Sequence, residues 1–186
     1  MSQDDIDAFV ASAYNETLMP EGVMAAMAAK RLPVSGRDYD GQTALHWAVY
    51  KKHRELVKAL LAAGADADVK DKNGRTSVWW AAAWSTSCIL QQLIENGGSV
   101  NEADTFGHTP LSMLLKDRRG DADIRLHILL ECRDLDLDAK VFGKTAEQLC
   151  DCYNARVALA EARLKRSRWG DLRVAWIRAT ATYVVK

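Results

Sequence analysis

A chain of 186 residues with 48% hydrophobic and 27% charged side chains can bury the core of one ordinary domain, which sets intrinsic disorder aside. Lys and Arg number 25 against 25 Asp and Glu, so no bulk field favours nucleic acid or an anionic membrane as the default partner. The opening MSQDDIDAF is acidic, and no stretch approaches the ~20 apolar residues of a bilayer span, so a soluble protein of the cytosol, or of the nucleus, is expected.

In chain order, DDIDAFVASAYN and PEGVMAAMAAKRLPVSGRD predict two helical segments with Phe9, Val10, Val23, Met24 and Met27 on an inward face. From there the chain repeats itself. GQTALHWAVY at 41–50 returns as GRTSVWWAAA at 74–83, and Gly41, Gly74 and Gly107 stand 33 residues apart. Each is followed two positions later by Thr43, Thr76 or Thr109 and preceded three positions earlier by Asp38, Asp71 or Asp104. A fourth copy, GKTAEQLCDC, starts at Gly143, three residues late, after the polar stretch RRGDAD, an insertion of the kind loops absorb.

The letters of the repeat have separate physical tasks. The Gly follows a polar pair in a tight turn, where φ > 0 carries no Cβ clash. The Thr suits a helix N-cap, and Pro110 in the third copy suits a first helical position. A short helix rich in small residues follows, then an amphipathic one, RELVKALLAAGADA or SCILQQLIENGGSV. Leu56, Val57, Leu60 and Leu61 align with Ile89, Leu90, Leu93 and Ile94 as one buried stripe, and Gly64 and Gly97 stop the helices.

At the C-terminal end, TAEQLCDCYNARVALAEARLKRSR predicts a charged outer helix facing water. Residues 169–186, WGDLRVAWIRATATYVVK, do not fit the period. Trp169, Leu172, Trp176 and Ile177 could form one face of a further helix, and the basic excess there reads either as a solvated face or as an anion-binding patch. Of the four cysteines, Cys88 reads as a small core residue. His127, Cys132, Cys150 and Cys152 lack the two compact ligand pairs of a structural zinc site, so free thiols and no metal are expected. No nucleophile with a base, paired carboxylates or phosphate loop stands at a convincing spacing. Neither catalysis nor a cofactor is therefore expected.

Turn, helix, helix and return in 33 residues, carrying GQTALHWAV, LLAAGADA and NEADTFGHTPL, resembles the ankyrin repeat. The resemblance implies an all-α solenoid of stacked helix-turn-helix units with short β-turn or hairpin connections. Its divisions would be an N-terminal capping repeat at 1–37, repeats at 38–70, 71–103 and 104–139, the last with the insertion, a C-terminal capping repeat at 140–168 and a tail at 169–186. His46 keeps the family's Thr-x-x-His arrangement, with Trp79, Ser112 and Gln148 in that slot later. Trp47 and Trp80 fall one place on, where the family packs a core side chain.

The family's concave surface, built from turn residues and inner-helix ends, grips other proteins. Carried over by position, the candidate partner-binding residues are Tyr39, Tyr50, Lys51, Lys72, Arg75, Trp84, Phe106, His108, Lys116, Phe142, Lys144 and Tyr153. Aromatic and mostly basic, they favour an acidic segment with apolar anchors, with packing under their own turns as the alternative for Phe106 and Phe142. The expected protein is thus a non-catalytic, monomeric interaction module without a small-molecule substrate. The alternative is the scaffold portion of a larger regulatory protein whose basic tail docks on an anionic surface. Asn101, with Leu93 and Val100, resembles the family's hydroxylation pattern, against the simpler reading of an Asn that hydrogen-bonds its turn.

Overall fold

The Thr-led segments are helical, as their caps and small residues require. A computed structural model describes residues 3–15, 21–22, 34–116, 121–150 and 153–166. Among the described residues α1 (Gln3–Tyr14) precedes four helix pairs: α2 (Ala44–Tyr50) with α3 (Arg54–Ala62), α4 (Ser77–Trp84) with α5 (Ser87–Glu95), α6 (Pro110–Lys116) with α7 (Ala122–Glu131), and α8 (Ala146–Leu149) with α9 (Tyr153–Arg166). The helices α1, α2, α4, α6 and α8 pack in that order as an inner row, and α3, α5, α7 and α9 as an outer row. Among the described residues each pair packs chiefly against its neighbours, as a solenoid demands.

One core runs through the stack. Leu45, Leu56, Leu60, Ile89, Leu90, Leu93, Leu129 and Leu159 are among its fully buried side chains, Ala13 joins it from α1, and Val10 is buried on the same helix. Phe9 packs partly buried against it, while Val23, Met24, Met27 and the tail 169–186 lie outside the described residues. Gly64 and Gly97, at φ 85° and 88°, end the outer helices α3 and α5, each followed by the paired carbonyl bonds of a Schellman turn. Cys88 corrects the sequence reading: it stands exposed on α5, because the buried stripe passes through Ile89 and Leu90.

The Asp and Gly of each copy build a projecting finger. Asp38, Asp71 and Asp104 each accept two backbone N–H bonds on Oδ1 at 2.8–2.9 Å, from residues two and four positions on. Gly41, Gly74 and Gly107 supply the left-handed residue at φ 73°, 75° and 82° that closes a three-residue hairpin loop. The fingers then join edge to edge, Lys72 N–H to the Asp40 carbonyl at 2.9 Å and Thr105 N–H to the Asn73 carbonyl at 2.8 Å. The fourth finger is a different turn, with Phe142 at φ 52° and Gly143 at 74° between the reciprocal bonds of Val141 and Lys144, the two-residue loop of a tight hairpin.

Polar side chains fasten the pairs together. Arg125 on α7 is 3% exposed. Its guanidinium donates to the Ala82 carbonyl at 2.6 Å and pairs with Asp121 at 3.1 Å. Asp121 in turn accepts the Ser87 N–H at 2.5 Å, so two residues of one repeat satisfy the last turn of α4 and the first turn of α5 in the repeat before. Burial alone would raise the Asp121 carboxyl, but the Ser87 bonds and Arg125 outweigh it and hold the group below the usual carboxylate range. The last helix is not simply a charged face in water. Arg166 reaches the Leu135 carbonyl at 2.6 Å, and Arg163 bridges Asp138 at 2.8 Å and Glu147 at 3.0 Å.

Candidate interaction surface

The recurring Trp does more than fill space. Trp47 and Trp80 each stand nine residues after the finger Asp, and each indole N–H donates to that carboxylate's second oxygen, Asp38 Oδ2 at 3.1 Å and Asp71 Oδ2 at 3.2 Å. The Asp therefore shapes the turn with one oxygen and orients a ring with the other. The neighbouring slot carries the link between repeats. His46 Nδ1 accepts from the Thr43 N–H at 3.1 Å, which leaves the Nε2 proton to donate to the Arg75 carbonyl at 3.2 Å. Trp79 takes over that task one repeat later, its indole N–H donating to the His108 carbonyl at 2.9 Å. In the fourth copy Gln148 keeps the local half, accepting from the Thr145 N–H at 3.0 Å.

From these anchors a continuous run of rings crosses three elements. Tyr14 on α1 meets Trp47 at 4.7 Å between centroids, and Trp47 meets both Tyr50 and Trp80 at 5.9 Å. Tyr50 meets Trp80 at 5.7 Å, and Trp84 closes on Trp79 at 5.2 Å and Trp80 at 5.3 Å. All are edge-to-face, the arrangement ring quadrupoles prefer. Arg75 lies across three of them, 4.9 Å from the Trp80 ring centroid, 5.5 Å from Trp79 and 5.7 Å from Trp84, with Asp71 on its guanidinium at 2.8 Å.

This repeated Asp, Gly, Thr and His or Trp framework agrees with an independent comparison. The profile of ankyrin repeats, in three copies, matches residues 11–104. The chain is an ankyrin-repeat protein. No curated protein sequence matches it. Ankyrin repeats are generally protein–protein interaction modules and typically non-catalytic. None of the helices in the described residues is long and apolar enough to cross a membrane.

On the ankyrin scaffold the candidate residues separate into three groups. Tyr39 is 83% exposed, Phe106 65%, Phe142 68% and Tyr50 45%, and Lys72, Lys116 and Lys144 are exposed as well. Phe106 and Phe142 therefore stand out from their turns, with His108 between them, 6.5 Å from the first ring and 5.1 Å from the second. Trp84 is half-buried. Arg75 and Lys51 are engaged within the molecule, Arg75 by Asp71 and Lys51 with its ammonium 4.6 Å over the Tyr14 ring. Tyr153 begins α9, and its side chain lies outside the described residues.

Tyr14 carries no repeat motif that would single it out, since α1 lies outside the period, and the carboxylate that engages Arg75 is the same Asp71 that shapes its turn. Asn101 has both ends of its amide engaged, Nδ2 on the Asp134 carbonyl at 2.6 Å and Oδ1 on the Asp136 N–H at 2.8 Å, tying one repeat's turn to the next. A roomier cleft of about 480 Å³ between α7 and α9 mixes Glu131 and Glu161 with Arg133 and Lys165 and includes none of the finger residues.

Proposed function

We propose that this protein binds an extended segment of a partner protein across its fingers and inner helices, with apolar side chains of the partner seated on Tyr50 and Trp84. One observation carries the reading: these two rings are partly open to solvent yet fixed from beneath by Trp80, itself bonded to Asp71. A ring already held in place loses little freedom on binding, which is the property of an interface hot spot. Lys72, Lys116 and Lys144, exposed along the later repeats, suit acidic groups on the partner and would speed encounter more than they tighten the complex.

A peptide-display selection on the immobilised protein tests this. Selected peptides should lose about thirtyfold in affinity to Tyr50→Ala and Trp84→Ala, the size of a single hot-spot residue. Unchanged affinity in both variants, with the helical circular dichroism intact, would place recognition elsewhere.

A further inference from the structure

Between α1 and the first finger lies a cavity of about 300 Å³ whose walls include the rings of Tyr14, Tyr39 and Trp47 and whose charged lining residues are Asp7, Asp38 and Asp40. Aromatic faces and carboxylates together attract one chemical class, a cation with an apolar stem. The rings are held in position. Trp47 is fixed by its bond to Asp38 at 3.1 Å and by Tyr14 standing edge-on at 4.7 Å, and buried Val10 supplies an apolar wall. The Tyr14 ring already draws a cation from this chain, since Lys51 Nζ lies 4.6 Å from its centroid.

The feature belongs to one end of the surface only. Asp38 is committed to its turn and to Trp47, whereas Asp40 is exposed at the finger tip beside Tyr39. One repeat later the same two positions hold Lys72 and Asn73, then Thr105 and Phe106, so the acid–aromatic tip is not repeated. A partner lying along the face meets carboxylates and rings at the first finger and lysines beyond it.

We infer that this cavity seats a basic side chain of the bound partner, arginine in preference to lysine, between the Asp40 carboxylate and the rings of Tyr14, Tyr39 and Trp47. A guanidinium is less strongly hydrated than an ammonium, stacks flat on aromatic faces and presents a fork to a carboxylate, so it gains from every wall of the site. The inference rests on the reading that the fingers and inner helices form the recognition face. It adds a direction to that reading: the segment's basic end lies on the first repeat and its acidic end towards Lys116 and Lys144.

The test titrates an acetylated leucine–arginine–leucine amide into the ¹⁵N-labelled full chain, following the Trp47 indole N–H, assigned with Trp47→Phe. Saturable movement of that resonance is expected with arginine. It should be several-fold weaker with lysine and about tenfold weaker with citrulline, which keeps the shape without the charge. Asp40→Asn and Tyr39→Ala, both exposed tip positions, should each weaken the arginine probe by about tenfold, and added salt should weaken it further. Equal binding of the citrulline probe, unaltered binding by both variants, or an unmoved Trp47 resonance would each overturn the assignment. The outcome is separable from that of the proposed function: Trp84→Ala removes affinity for selected peptides but not for the arginine probe, whereas Asp40→Asn weakens the probe and leaves the Trp84 contacts of a selected peptide in place.

Discussion

At the residue scale, several buried polar groups are satisfied by neighbours from an adjoining repeat, and His46 shows what that costs in pH range. Desolvation lowers its pKa from 6.5 to about 4, against the raising effects of the Arg75 carbonyl and of Asp71 and Asp38. The unfolded chain therefore takes up a proton near pH 6.5 that the folded one refuses until about pH 4, so this stability is complete above pH 6.5 and drains away as pH falls towards 4. Between pH 7 and 5 the loss is about 2 kcal/mol. His46→Gln should flatten that part of the profile in urea unfolding at the two pH values, because Gln148 shows that Gln can make the same cap; an unaltered slope would mean another group titrates there. Ser77 presents the opposite case. Its hydroxyl is buried without a hydrogen-bond partner among the described residues, and the equivalent position holds Ala44 one repeat earlier and Ala146 in the last. Ser77→Ala should raise stability by about 1 kcal/mol, read as a higher urea midpoint at unchanged slope.

At the scale of the element, the fingers show which glycines serve conformation alone and which also serve contact. A Cβ on Gly107 at φ 82° would meet nothing within 4 Å, whereas one on Gly74 at φ 75° would stand 3.1 Å from the Thr105 backbone nitrogen in the next finger. Gly107→Ala should cost about 1 kcal/mol for the left-handed backbone alone. Gly74→Ala should cost roughly twice that, because the Thr105 to Asn73 bond between fingers must stretch to make room. Equal losses in chemical denaturation would show that finger stacking adds no stability. These turns were legible from the chain because Asp, Gly and Thr act within a few residues of one another. Arg125 and Asp121 were not, since their partners Ala82 and Ser87 lie 43 and 34 residues away and an isolated Asp or Arg beside a polar insertion looks like solvent-facing charge. Spacing likewise placed Arg75 among the candidates and Asp71 three residues before Gly74, but not Asp71 as the acceptor shared by a guanidinium and an indole.

The whole molecule is a row of pairs, and its cooperativity depends on the joints between them. Where the first two repeats meet, His46, the ring run and Ser85 donating to the Val49 carbonyl at 3.0 Å act together. Where the second meets the third, Trp79, Asn101 and the Thr105 to Asn73 bond tie the turns and fingers, while Arg125 with Asp121 closes the helix ends. Arg125→Met keeps the stem's volume but uncovers the carbonyls at the end of α4 and leaves Asp121 without its cation. Arg125 is buried but Asp121 is partly open to solvent, so the loss falls below that of a fully buried pair, at about 2 kcal/mol. In a one-dimensional stack that loss is confined to a single joint rather than spread over the chain. Native-state hydrogen exchange on Arg125→Met should therefore quicken across α6 to α9 well before α2 and α3, splitting one unfolding event into two. Uniform quickening from α2 to α9 would mean that the apolar core alone couples the repeats and that the Arg125 joint only adds to it. The split would instead show that the Arg125–Asp121 joint makes the two halves of the inner-helix row fold as one.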